Sequence, residues 1–182
     1  MPIRRATLED APAVAGVHVR SWREAYAELL PAPLLASLSV DDRTARRRQF
    51  MSDPSQSIAS FVATDAQGTT IVGFGDCGAQ RAADLTAAGF TGEFLAIYVL
   101  RMAQRSGIGR ALMAAMAQEL IVRGHSAAAA WVLRENLPAQ RFYEALGAVL
   151  IGKRLDRRPD VTLDEVGYGW RDIRALTGIS GP

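Results

Sequence analysis

Residues Gln104 to Leu112, QRSGIGRAL, set two glycines one residue apart at the start of an amphipathic run. Glycine weakens a helix, so a pair in the first turn points to a task for the backbone itself. A nucleotide-triphosphate loop would need a lysine directly after its second glycine, and Arg110 stands there instead. A dinucleotide fingerprint, G-x-G-x-x-G, does occur at Gly73, Gly75 and Gly78. The stretch behind Gly78 is polar and lacks a helical period, so the helix that would receive a pyrophosphate is missing. The third reading takes QRSGIGRAL as a short loop between a buried strand and a long helix. First-turn N–H groups have no partner inside the helix and lie at its positive end, which makes an anion site. Glycine there removes side chains that would hold a pyrophosphate at a distance. Arg105 and Arg110 add charge at the rim. The plainer alternative is that the two glycines only permit a tight turn from strand to helix.

Other chemistries find little support. Cys77 is the single cysteine, which excludes an internal disulfide and a thiolate zinc cluster. His18 and His125 stand apart from any cluster of carboxylates, so no metal is expected. No serine or cysteine lies in a nucleophile motif.

These residues need elements to hold them. Ile3 to Ala6 reads as a short strand, and Thr7 with Asp10 forms a cap for a helix running to about Leu30. Trp22 and Tyr26 lie four apart on one side of that helix. Pro31 and Pro33 interrupt it, and a second helix is predicted from about Leu34 to Phe50. Ile58 to Thr64 and Thr70 to Phe74 read as strands joined by the turn DAQG. A polar loop, AQRAADLTAAG, leads into EFLAIYVL, an apolar run expected to be a central strand. Behind the glycines, Ile108, Leu112, Met116 and Leu120 recur every four residues in a helix that Gly124 can cap. SAAAAWVL is a further buried strand, Asn136 opens a short helix closed by Gly147, and strands follow at about Val149 to Leu155 and Leu163 to Trp170. The predicted order is βααβββαβαββ, an α/β fold with mixed strand directions.

The 182 residues suit one hydrophobic core, so residues 1–182 are expected to form a single domain, with about 171–182 as a C-terminal tail. Net charge is +2, carried almost wholly by arginine. The clusters Arg43, Arg46, Arg47, Arg48 and Arg154, Arg157, Arg158 are short and lack interleaved aromatics, so no nucleic-acid partner is expected. Apolar runs such as Ala127 to Leu133 fall far below the ~20 residues that span a bilayer. With one cysteine and a charged N-terminus, MPIRRATLED, a cytoplasmic protein without membrane contact is expected.

Two blocks in the right order, the glycine loop and RENLPAQRFYEALGA, resemble the GNAT N-acetyltransferase superfamily. The family's pyrophosphate motif, Q/R-x-x-G-x-G/A, is matched by Gln104, Gly107 and Gly109, and SWREAYAELLP is similar to the first helix of many bacterial members. Arg101 and Ser106 depart from the residues common at those places. The resemblance implies a partly antiparallel sheet with splayed central strands and acetyl-coenzyme A as co-substrate. It implies direct attack by a primary amine, on a small molecule or a peptide N-terminus, in a ternary complex. Members often pair, so a homodimer is a further expectation.

On that resemblance the cofactor is bound by Ile97, Tyr98, Val99, Gln104, Arg105, Ser106, Gly107, Ile108, Gly109 and Arg110, with Asn136 and Tyr143 from the later block. A backbone N–H near Ile97 or Val99 would polarise the thioester carbonyl. Tyr143 would donate to the departing thiolate, or else be a packing aromatic beside Phe142. Glu93 would serve as base through a water, or else be a solvated carboxylate at a strand end. Trp22 and Tyr26 would line the acceptor pocket, or pack in the core. A non-catalytic acyl-coenzyme A-binding or regulatory domain is the alternative that keeps the same loop.

Overall fold

The structure, a computed structural model, describes residues 2–53, 57–157 and 161–178. Arg158 of the second basic cluster lies outside the described residues. Among the described residues seven strands form one mixed sheet, hydrogen-bonded in the order β1 (Ile3–Arg5), β2 (Ala59–Thr64), β3 (Ile71–Ala79), β4 (Gly92–Val99), β5 (Ala128–Leu133), β7 (Thr162–Trp170) and β6 (Val149–Arg157). The chain divides into two compact units, Met1–Asp76 with Ala96–Met116 and Cys77–Leu95 with Ala117–Pro182.

The first unit begins with β1 (Ile3–Arg5), which pairs antiparallel with β2 (Ala59–Thr64). The predicted cap forms around a 3-10 turn at Leu8–Asp10: the Thr7 N–H donates to Asp10 Oδ2 at 2.8 Å, and Arg4 forks onto the same carboxylate at 2.6 and 2.8 Å. Helix α1 (Ala11–Ala25) carries Pro12 in its first turn, where a missing N–H costs nothing. It stops five residues before the predicted Leu30, with the Tyr26 N–H bonded to Trp22 O at 2.9 Å. The predicted second helix is two helices, α2 (Ala32–Ala36) and α3 (Val40–Ser52). Ser39 divides them, because its hydroxyl accepts from the Asp42 N–H at 3.1 Å and starts a new helix. The DAQG turn forms as predicted, with Gly68 at φ +75 and the Asp65 N–H bonded to Thr70 O. Val14, Val17, Val62, Phe74, Leu100, Ile108 and Leu112 make the core of this unit.

Strand β3 (Ile71–Ala79) is longer than predicted, and its glycines have a packing reason. A Cβ at Gly75 would fall 2.8 Å from Met116 Sδ, and one at Gly73 would lie 3.0 Å from Tyr98 O and 3.5 Å from Ile108. The G-x-G of the fingerprint is thus occupied by close helix and strand packing.

In the second unit the expected polar loop contains a short helix, α4 (Ala83–Ala87), anchored by buried Leu85 and followed by buried Phe90. Strand β5 (Ala128–Leu133) pairs antiparallel with β7 (Thr162–Trp170) over its whole length. Its parallel pairing with β4 (Gly92–Val99) covers only Gly92–Ala128 and Glu93–Ala129. The ladder between these strands therefore ends two residues into β4. Gly169 is fixed by the Phe90 ring, whose edge would lie 2.6 Å from an added Cβ. Helix α6 (Leu137–Glu144) and β6 (Val149–Arg157) complete the unit. The expected tail contains a 3-10 turn at Ile173–Thr177 with Ile173 fully buried. Against the predicted order, two short helices, α2 and α4, are additional.

Candidate active site

In the first unit β4 runs through Ile97, Tyr98 and Val99 to Leu100, whose N–H donates to Val72 O at 2.9 Å. A 3-10 turn at Arg101–Ala103 then delivers the exposed stretch 104–107. Gln104 ties this loop back to β4, its Nε2 donating to Val99 O at 3.0 Å, and Ser106 Oγ donates to Ala103 O at 2.6 Å. Arg105 sits at φ +62 and Gly107 at φ +87. A left-handed arginine is held at a cost of about 1 kcal/mol, and such strain persists where surroundings enforce it. Left-handed residues in short succession turn backbone N–H groups toward one side, as in anion-binding nests.

Helix α5 (Ile108–Val122) begins at once, with the Ala111 N–H bonded to Gly107 O at 3.0 Å. The N–H groups of Ile108, Gly109 and Arg110 precede that bond, so no helical carbonyl is available to them. Around Gly107 an added Cβ would meet nothing within 4 Å; the requirement for glycine is its backbone angle. Loop, open flank and helix start together fit a diphosphate.

The same unit holds an aromatic group that the sequence reading located only in part. His18 and Trp22 lie four residues apart on α1, and Tyr26, which caps its end, follows four residues later. Trp22 and Tyr26 meet edge to face at 5.2 Å, and His18 stacks on Tyr98 at 5.0 Å while lying 5.6 Å from both Trp22 and Phe74. Tyr26 is buried, and Trp22 Nε1 is buried without a partner among the described residues. Arg43 Nη1 lies 3.3 and 3.4 Å from the two His18 ring nitrogens, and its guanidinium covers the Trp22 ring at 5.2 Å. Burial first, then the charges of Arg43 and Arg47, push His18 down to about 3, so it is neutral near pH 7. Arg47 is itself held by buried Asp76 at 2.7 and 2.8 Å, and Ser60 Oγ donates to the same carboxylate at 2.6 Å. The sequence signal for His18 was its spacing with Trp22.

The second unit carries Glu93, Asn136 and Tyr143. Glu93 is buried and gripped from two sides: Arg81 Nη2 donates to Oε1 at 2.8 Å and Arg81 Nε to Oε2 at 2.9 Å. The Arg81 N–H adds a third bond at 3.2 Å. Sequence reasoning did not find Arg81, because its link to Glu93 crosses a loop of unpredictable path. A carboxylate engaged this way has fewer lone pairs to offer a proton. Asn136 caps α6, its Oδ1 accepting from the Ala139 N–H at 3.2 Å. Tyr143 is buried on α6 among the rings of Phe142, Tyr168 and Trp170, at 5.6, 6.0 and 5.6 Å. Tyr168 donates to Glu144 Oε1 at 2.7 Å, and burial, reinforced by that carboxylate, raises its phenol to about 12.

The chain belongs to the acetyltransferase (GNAT) family, whose model matches residues 19–148. It is 37% identical over 175 residues to the uncharacterized N-acetyltransferase YuaI of Bacillus subtilis (strain 168), covering 96% of this chain and 95% of that protein. The fold is shared with a ribosomal-protein-alanine N-acetyltransferase from Brucella melitensis, at TM-score 0.69 and 21% identity over 93% of this chain and 99% of that one. It is shared also with the PaiA N-acetyltransferase from Thermoplasma acidophilum, solved in complex with coenzyme A, at TM-score 0.66 and 18% identity over 93% and 98%.

Proposed function

We propose that this protein transfers an acetyl group from acetyl-coenzyme A to a primary amine, on a small molecule or a peptide N-terminus, by direct attack in a ternary complex. The observation that carries the reading is the left-handed Arg105 and Gly107 directly ahead of the 15-residue helix α5. The reading takes residues 1–182 as one acetyltransferase domain, supported by a family match that runs from residue 19 to residue 148.

Bound acetyl-coenzyme A supplies an activated thioester. Backbone N–H groups of residues 105–110 hold its diphosphate, with Arg105 and Arg110 adding charge at the rim. Ile97, Tyr98 and Val99 align the pantetheine arm, and a backbone N–H of this stretch polarises the thioester carbonyl. Asn136 adds a contact to the arm while capping α6. An alkylamine with a pKa near ~10 must lose a proton before it attacks, at roughly 4 kcal/mol when water alone removes it at neutral pH. Glu93 assists through a water, using lone pairs that Arg81 leaves open. As the nitrogen bonds the acetyl carbon and the carbon–sulfur bond breaks, Tyr143 donates its phenolic proton to the departing sulfur and recovers one from the proton the nitrogen sheds on becoming an amide. Trp22 and Tyr26 form the apolar wall for the acceptor.

The Arg81–Glu93 pair favours a second reading, an acyl-coenzyme A-binding or regulatory module without turnover. An assay of free thiol across pools of amines separates the two. The enzyme releases coenzyme A only when an acceptor amine is present; binding with no acceptor-dependent release supports the module.

No helix among the described residues is long and apolar enough to cross a membrane. The functional reading places the protein in the cytoplasm, where acetyl-coenzyme A is made available to such enzymes.

A further inference from the structure

Arg101 links the two parts of the first unit that matter to the proposed reaction. Its backbone N–H donates to Glu24 Oε2 at 2.8 Å, and its Nη2 donates to the Glu24 carbonyl at 2.6 Å. Arg20 Nε holds the other oxygen of the same carboxylate at 3.0 Å, and Arg20 Nη2 reaches Met102 Sδ at 3.8 Å. Glu24 lies in the last turn of α1, between Trp22 and Tyr26. Arg101 opens the 3-10 turn that leads into Gln104. A proline at 101 would have no N–H for the carboxylate, so Arg101→Pro removes this bond.

The bonds sit at a point where order is transmissible. The Tyr26 N–H, and those of Leu29 and Leu30 that bond to Tyr26 O at 3.1 and 3.0 Å, stand just beyond Glu24. On the other side, Arg101 shares its turn with the carbonyls of Arg101 and Ala103 that accept from the Gln104 N–H and from Ser106 Oγ. Fixing the loop on a ligand therefore fixes the donors that hold Glu24.

We propose that Glu24 is a positioning residue that couples the end of α1 to the pyrophosphate loop, so that coenzyme A bound at residues 104–110 orders the turn carrying Trp22 and Tyr26. The amine would then meet an acceptor wall that has been set by the first ligand. This rests on the reading of 104–110 as the diphosphate site. The coupling is a matter of shared order between two ends of one hydrogen-bonded link.

Hydrogen exchange on the full chain with coenzyme A alone as probe tests it. Wild type should show slower exchange both in peptides covering 104–112 and in those covering 22–30. Glu24→Ala and Arg101→Pro should keep the protection at 104–112, lose it at 22–30, and bind coenzyme A about fivefold more weakly, the size of one solvent-facing charged hydrogen bond. Glu24→Gln, which retains an acceptor oxygen, should restore much of the protection at 22–30. Protection confined to 104–112 in wild type, or equal protection at 22–30 in both disruptive variants, overturns the coupling and leaves the diphosphate site standing. No protection at either place removes both.

Discussion

The loop at residues 104–107 and the neighbourhood of Glu93 and Tyr143 treat polar groups in opposite ways. The loop is exposed, is held mainly by Gln104 and Ser106 bonds to nearby carbonyls, and places two residues in left-handed backbone. In the second unit the corresponding polar side chains are buried and engaged: Glu93 by three donors from Arg81, and Tyr168 by Glu144. A backbone site of the first kind is set by residue type and is insensitive to partners. A side chain of the second kind has chemistry that its partners decide.

That difference can be tested at several points. The largest effect should come from Tyr143→Phe, which removes one oxygen and keeps the ring among Phe142, Tyr168 and Trp170. Turnover should fall about 100-fold, as for loss of a general acid, with coenzyme A affinity changed less than about twofold. Unchanged turnover would return Tyr143 to the core. Next is Gly107→Val, which forces a β-branched side chain to φ +87. Calorimetry should show coenzyme A binding weakened by about 30-fold, from backbone strain and a lost close approach, with the thermal midpoint lowered by about 3 °C by the same strain.

Smaller effects probe the engaged carboxylate. Arg81→Ala leaves buried Glu93 without its guanidinium, whereas Glu93→Gln leaves a largely exposed Arg81 that water can solvate. Urea denaturation should find the arginine variant the less stable of the two by about 1 kcal/mol, because an orphaned buried charge is the costlier fragment. Equal losses would mean that Glu93 reaches water through another route. The remaining effect concerns pH. His18 has a folded value near 3 against about 6.5 when unfolded, so the unfolded chain binds a proton that the fold refuses. Its contribution to stability is complete above about pH 6.5 and is lost as pH falls toward 3, with a slope of at most about 1.4 kcal/mol per unit. Between pH 6.5 and 5 the urea midpoint should decline in wild type and stay flatter in His18→Gln.

The same contrast explains what the sequence disclosed. Gln104, Gly107 and Gly109 were legible because glycine spacing before an amphipathic run reports directly on backbone. The strands and α5 were legible from apolar period, and the Thr7–Asp10 cap from residue type. The end of α1 was not, since Ala27, Glu28, Leu29 and Leu30 are good helix formers and no residue type marks the stop at Tyr26. The break at Ser39 is local chemistry that a reading guided by apolar spacing passed over. Arg81 and Arg47 were illegible as partners of Glu93 and Asp76, because 12 and 29 residues separate the pairs and only the folded path brings them together. Gly73 and Gly75 look like a nucleotide motif in sequence, and only the packing of Tyr98 and Ile108 on the first and of Met116 on the second explains them.

The central claim is that the backbone from Arg105 to Arg110 binds the diphosphate of coenzyme A. Isothermal titration of coenzyme A into the wild-type chain, with dephospho-coenzyme A and pantetheine as companions, measures it most directly. Saturable heat with coenzyme A and dephospho-coenzyme A, none with pantetheine, and a clear weakening in Gly107→Val is the predicted result. Equal binding of pantetheine, or no heat from coenzyme A with folded protein, would contradict it.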